Sequence, residues 1–557
     1  MRKMKYILLI TVILFYRTIN AQNIQNDKIE SSFTRPALTN LYIDYPKYTD
    51  EYKIIEMLKN KPIPARFDDH SINNAKDINA QKLQNQSLKS IVVEDYSRDI
   101  IAKWYDRNKQ GIMSDKLINF RGNYTANDDE VSIDNQSNIS RVSNLGYELI
   151  KKTYVIVYNI TELKKTNSTG SEGYETRYSA KIYKLNWNDS IRDIFFDKYY
   201  VNDSTPYEYR NRKIQDFQNI TFSFSFVTEI TGYKINTQST DYGSYVLSRP
   251  KTMLELLQDA ANEIHEEVFF LASQDIDDFN VKVHIKSVYP THGKIGTKEG
   301  IYLGQRFAIY KYDEKKNKKI RKGYVRVKLI ANTDGISDGK TDQSVFRQVG
   351  GRKLKTYYYL ESKEDEGLSW TLGSSFNDSS ASAGYFMTLD IRNDFASKTY
   401  QPGIKSKNRI TGISLIAKPF NRQIFGDDTK DSTSSGSSFN LSLSLGRELY
   451  IGKKGHAYLF PEISASLLGY YFTEIGGVKI KFENEKSLFL NYSINTAIGL
   501  GVNLTPSISF LIKPTYSIRL NDFKSLGEEK IKLSNEERLK NIDKNSSPVF
   551  LGVRFRF

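Results

Sequence analysis

The chain has 557 residues, with 80 Lys and Arg against 65 Asp and Glu, a formal charge of +15, and no cysteine. The absent thiols exclude disulfides, thiolate metal sites and an anchor on a lipidated cysteine. A length of this order predicts two to four domains.

Met1-Arg2-Lys3-Met4-Lys5 is basic, residues 6–16 are apolar, and Thr18-Ile19-Asn20-Ala21 offers a cleavage site. An apolar run this short predicts a secretory signal peptide over 1–21 rather than a membrane helix. Arg2, Lys3, Lys5 and Arg17 fall inside it without an acid, so the mature chain would carry 15 − 4 = +11. Export argues against nucleic acid as a partner. The plain expectation for the charge is a solvated basic surface, with anionic headgroups or cell-wall polymer as the partners it would suit.

Residues 22–90 are polar and rich in Asn, Asp, Lys and Gln, which predicts a loosely ordered leader. An α/β domain is expected over 91–279. Residues 97–105 predict a capped amphipathic helix, and a helix end near 147–150 runs into a β-branched strand at 153–158. Residues 180–185 and 222–226 predict further strands. Leu254, Leu257, Ala261, Ile264, Val268 and Leu271 mark one face of a long helix that would pack on this sheet, while His265 is expected on its solvated side. Over 280–362, strands near 281–285, 306–310, 323–329 and 354–360, punctuated by glycine turns, predict a small β-barrel module. The basic run from Lys311 to Lys322 is expected to be a solvated hairpin.

From 363 to 557 the pattern changes to long strands in which apolar residues alternate with Ser, Asn, Gly and Thr. Their length suits a tilted crossing of a bilayer and predicts an antiparallel transmembrane β-barrel. Eight strands are expected, near 367–376, 383–394, 408–419, 437–449, 456–469, 486–504, 506–520 and 547–557. In the last, Val549, Leu551, Val553, Phe555 and Phe557 would face lipid, and Phe550, Gly552, Arg554 and Arg556 the lumen. Phe557, Phe555 and Val553 resemble the signal that such barrels present to the barrel assembly machinery. Short connections at 450–455 and 505–506 suit periplasmic turns; that near 395–407 is long for one. The predicted lumen charges are Asp390, Arg392, Lys418, Arg447, Glu462, Lys513, Arg519, Arg554 and Arg556. Eight strands leave room for inward side chains and little else, so these charges are expected to form an ion-paired plug rather than an ion pathway.

The five histidines, His70, His265, His284, His292 and His456, show no metal-binding spacing. No nucleophile elbow or phosphate-binding glycine loop is present. Neither catalysis nor a cofactor is expected.

Residues 147–158, 180–185 and 254–271 resemble the periplasmic α/β fold of the curli-secretion-channel (CsgG-like) type. The segment from Val288-Tyr289-Pro290 through Gly304–Tyr310 to Gly323–Val327 is similar to the SH3-like module at the C-terminus of a flagellar assembly protein. Together with the barrel they look like a group of outer-membrane proteins of Gram-negative gut-type bacteria. That resemblance implies a multidomain chain: periplasmic α/β domain, small SH3-like β-barrel and transmembrane barrel. The curli channel is a lipoprotein that builds its pore by oligomerising, so its activity and residues do not carry over. The expected function is a non-catalytic scaffold, anchoring or assembly role in the cell outer membrane, in contact with its lipids and with a periplasmic protein or cell-wall partner. The alternatives are a pore for transport or secretion and, more remotely, an outer-membrane enzyme.

Overall fold

The computed structural model describes residues 33–556 apart from 73–76, 126–145, 169, 240–248, 314–317, 333–342, 364–367, 378–379, 393–408, 424–432, 452–455, 476–477, 480–487, 505–507, 521–523, 526–544 and 547–548. The expected signal peptide and Phe557 lie outside the described residues.

Strand β1 (Ala37–Asp44) lies inside the first sheet. Ala37, Leu41 and Ile43 enter one apolar core and Leu38 enters another, so both its faces are covered. Helix α1 (Asp50–Lys59) starts at Thr49, whose side chain caps Tyr52 N, and buries Ile54, Ile55 and Leu58. The expectation of a loose leader over 22–90 therefore fails for its described part, and the α/β unit already includes Ala37–Asp44 and Asp50–Lys59 rather than starting at 91. Its polar composition hid a strand held by long-range pairing and a helix with a short apolar face.

Helix α2 (Ser97–Trp104) follows a π-turn at Val92–Tyr96, and no side chain caps it. Ser97 instead donates to Val93 O and accepts from Phe222 N, which corrects the expected capped start. After α3 (Lys116–Thr125), strands β2 (Thr153–Ser168) and β3 (Ser171–Leu185) form a long hairpin. Helices α4 (Asp189–Lys198) and α5 (Tyr207–Asn219) precede β4 (Phe224–Ser239), which is much longer than the expected 222–226. The order is β1-β2-β3-β4, with β1 parallel to β2 and the rest antiparallel; short strands at Asp68–Asp69 and Ile78–Asn79 pair with the free edge of β1.

Helix α6 (Met253–Asp275) opens with a capping box between Thr252 and Glu255 and lays Leu257, Ala261, Ile264 and Val268 on the sheet. Leu254 is exposed, and His265 is half-buried with its ring edge-on to Phe269 at 4.9 Å, not solvated.

A second, antiparallel sheet contains β5 (Lys282–His284), β6 (Thr291–Gly293), β7 (Arg306–Asp313), β8 (Lys318–Leu329), β9 (Ser344–Gly351) and β10 (Tyr359–Ser362), with Ser287–Val288 at one end. Its order is β5-β10-β7-β8-β9-β6, and its ends are not paired with each other among the described residues. It wraps a core containing Val281, Phe307, Val325, Phe346 and Leu360. Asp277 and Asp278, at the end of α6, tie the two units together. Asp278 accepts from Lys184 at 2.8 Å and from the Tyr154 hydroxyl at 2.5 Å, while Lys319 lies 3.2 Å from Asp277 and 3.3 Å from the buried Glu361. Burial pushes the Asp278 carboxyl up, but Lys184, Lys152 and Tyr154 outweigh it and leave the group below the usual carboxylate range. Gly300, at φ +64°, lets the loop at Ala65–Arg66 approach closely: a Cβ there would sit 2.8 Å from Arg66 N.

The last eight strands are β11 (Leu368–Asn377), β12 (Ser380–Arg392), β13 (Arg409–Gln423), β14 (Thr433–Arg447), β15 (Ala457–Ile475), β16 (Leu488–Asn503), β17 (Ile508–Arg519) and β18 (Val549–Arg556). Each is antiparallel to the next, and β18 pairs with both β17 and β11, closing the ring. The expected count of eight is the observed one. The long connection after β12 lies outside the described residues; β12 and β13, on either side of it, pair directly.

Candidate functional site

Closure leaves the barrel with two chemically different surfaces. Outside, Trp370, Leu372, Leu443, Ile463, Ile498 and Ile512 stand among an almost continuous exposed apolar wall, with Leu443 61% and Ile498 64% exposed. Such an area far exceeds the few hundred Å² of apolar patch usual on a water-facing surface. Trp370 faces Phe555 in the strand register near the end where the chain enters the barrel, here the entry end. Tyr385, Tyr492 and Tyr516 are exposed toward the other end. Aromatics at both margins of an apolar band are the pattern of a barrel in a bilayer.

Inside, two kinds of side chain fill the space. Aromatic rings lie over glycines: Tyr458 occupies the room left at Gly501, and Phe386 that left at Gly552, where a Cβ would come 2.8 Å from its ring. Phe386 and Phe550 meet edge-on at 5.2 Å. Ser464, Ser466, Ser493 and Asn495 form a hydrogen-bonded layer farther from the entry end.

Toward the entry end lies the ionic network. Arg554 donates to Asp390 at 2.7 Å, Glu448 at 3.3 Å and Thr371 at 3.1 Å. Arg556 donates to Glu448 at 3.1 Å, to Asn503 at 3.0 Å and to Ser509. Lys513 pairs with Glu462 at 2.9 Å. Three cations thus meet three carboxylates, the balance that removal from water demands. The two guanidiniums also stack on aromatics, Arg554 at 4.6 Å from the Phe460 ring and Arg556 at 5.2 Å from that of Tyr458.

Of the nine charges read from the sequence, Asp390, Glu462, Lys513, Arg554 and Arg556 come together here. Arg447 does not. Ser442, Ser444 and Glu448 are buried on the inward side of their strand, so Arg447 shares the exposed side with Leu443 and Leu445. Strict alternation from Ser442 would have placed it there. The same alternation points to Glu448, the residue that sequence reasoning missed. The side chains of Arg392, Lys418 and Arg519 lie outside the described residues. Val553 and Phe555 are half-buried on the outward side and pair with Leu372 and Trp370.

The network continues into the second unit. The Tyr450 hydroxyl donates to Glu448 at 2.7 Å, and its ring packs on the cluster of Ala308, Tyr310, Tyr324, Val349 and Tyr359. Asn503, already holding Arg556, donates through Nδ2 to Val349 O at 2.8 Å. The entry end of the barrel is thereby fastened to a folded sheet.

In the first unit, a polar cleft of about 500 Å³ opens along β1 between its two short edge partners, lined by Asn40, Tyr42, Lys59, Lys61, Asp69 and Asp77. Lys59 bridges Glu56 at 2.6 Å and Asp77 at 2.5 Å there. Among the described residues no three His, Cys, Asp or Glu are grouped to hold a metal.

No family model matches the chain, and no curated protein does. Solved structures similar to part of it include a major outer membrane protein from Thermus thermophilus, at 10% identity and TM-score 0.24 over 34% of this chain and 99% of that one. Neisserial surface protein A is similar at 11% identity and TM-score 0.22 over 35% and 100%. The N-terminal β-barrel domain of Pseudomonas aeruginosa OprF is similar at 13% identity and TM-score 0.19 over 35% and 100%. At such scores the functional reading rests on the chain's own strand pairing and side-chain distribution.

Proposed function

We propose that the chain is an outer-membrane envelope protein whose barrel is a filled anchor and whose first two units stand in the periplasm as a non-catalytic scaffold for the cell wall or an assembly partner. The observation that carries this is the barrel interior. Inward rings and a three-against-three ion network occupy the space a pathway would need, and that network is bonded to the second unit rather than open to solvent. An anchor needs rigidity between membrane and cargo, which the Tyr450 and Asn503 contacts supply. The α/β unit would then present the partner surface, with the polar cleft beside β1 as one concave part of it.

The test is a heat-modifiable gel shift of the protein in outer-membrane fractions, combined with protease treatment of opened envelopes. A protected fragment covering 368–556, with the preceding units digested, is the expected result. Recovery of the protein in the soluble fraction overturns the reading.

A further inference from the structure

Residues 280–362 contain nineteen Lys and Arg and seven Asp and Glu, 19 − 7 = +12, so they hold most of the +15 of the whole chain. The structure gathers part of this excess at one place. Arg352 N donates to Lys322 O at 2.8 Å where β8 and β9 run side by side, and the Arg321 guanidinium donates to the Tyr324 hydroxyl at 2.7 Å. Lys353 and Lys355 follow directly. Arg321, Arg352, Lys353 and Lys355 are exposed and Lys322 is half-exposed; none of the five forms an ion pair among the described residues.

This strip adjoins the contacts that fix the sheet to the barrel. Val349, three residues before Arg352, is the acceptor for Asn503, and Tyr324, the partner of Arg321, belongs to the cluster that receives Tyr450. The nearby barrel rim carries the Trp370–Phe555 pair, the kind of aromatic contact that marks the headgroup level. On the proposed membrane placement, the cations therefore sit within a few residues of the depth at which headgroups begin. Clustered cations near an anionic leaflet gain attraction that falls off within a screening length of about 10 Å.

We propose that Arg321, Lys322, Arg352, Lys353 and Lys355 form a binding surface for the anionic phospholipid headgroups around the entry rim. The inference rests on the membrane placement above, and its test separates the two. The chain has no cysteine, so Thr356→Cys, at an exposed position inside the strip, takes a single environment-sensitive fluorophore. The labelled full chain is reconstituted into vesicles of phosphatidylcholine alone or mixed with phosphatidylglycerol, and insertion is read in each by the heat-modifiable gel shift. The expected result is a blue shift in the anionic vesicles alone. It should disappear in about 1 M salt, where the screening length is about 3 Å. It should also disappear when all five cations are replaced by Gln in a protein that still shows the gel shift. Equal emission in both vesicle types overturns the inference, as does a shift that survives salt or the five-fold replacement. A soluble anionic polysaccharide that reproduces the shift in neutral vesicles assigns the strip to polymer and also overturns it. Loss of the gel shift in every sample overturns the membrane placement itself, and the inference falls with it.

Discussion

Glu448 accepts from Arg554, Arg556 and the Tyr450 hydroxyl, so one carboxylate is shared by two buried guanidiniums and reaches the neighbouring unit. Replacing it with Gln keeps its size but leaves a surplus buried cation. Breaking a buried pair on one side costs about 3–5 kcal/mol. Glu448→Gln should therefore lower the urea midpoint of the refolded barrel, read by the gel shift, whereas Arg447→Gln, exposed and outward, should stay within about 0.5 kcal/mol. His70 makes a different prediction. It is fully buried against Trp104, its Nε2 donating to Ile100 O at 2.9 Å and its Nδ1 accepting from Arg121 at 3.1 Å. Burial pushes its pKa well below the ordinary value, Arg121 and Lys103 push it further down, and only the Ile100 carbonyl favours the cation. The fold thus binds the neutral ring. Its contribution is complete above the unfolded value of about 6.5 and is lost as pH falls from there toward the depressed folded value. Unfolding followed by Trp104 fluorescence should show the urea midpoint falling below about pH 6.5, and His70→Gln should flatten that dependence. His284 shifts in the same direction but lies in the second unit, away from this probe.

At the scale of elements, legibility follows periodicity. The barrel strands alternate over lengths of 8–19 residues, and that repeat specifies both their number and which side of β18 faces inward. Helix α6 is equally clear, because its apolar face recurs along most of its 23 residues. Strand β1 is not. Its eight residues, Ala-Leu-Thr-Asn-Leu-Tyr-Ile-Asp, send Ala37, Leu41 and Ile43 into one core and Leu38 into another, so apolar residues fall on both faces and the alternation is broken. Its longest pairing is with residues more than a hundred positions away, at Thr153–Tyr158. Local pattern carries no record of such pairing, and the polar chain around it reads as disorder. The candidate site divides in the same way. Alternation brings Arg554, Arg556, Asp390, Lys513 and Glu462 to one interior. Glu448 lies at the edge of β14 and escapes notice because its neighbour Arg447 has the more conspicuous charge. The inward aromatics are hidden for another reason: Tyr458 and Phe460 are admitted by glycines on adjacent strands, a match between strands that no single strand displays.

For the whole molecule, the decisive question is whether the barrel conducts. An eight-stranded ring is just wide enough for its own side chains, so a pathway would require small or absent groups along its axis. Among the described residues the interior holds an ionic layer around Glu448, rings of Tyr458, Phe460, Phe386 and Phe550 beside it, and a Ser–Asn layer farther on. The entry end is further joined to a folded sheet through Asn503 and Tyr450. These obstructions act in series, so removing one leaves the others. Planar-bilayer recording of the intact protein should therefore give no steady current, and Arg554→Ala combined with Arg556→Ala should destabilise the barrel before it opens a path. Discrete, lasting conductance steps from the unaltered chain would mean that the interior rearranges or that several copies enclose a pore. Either outcome would move the function from anchoring to transport.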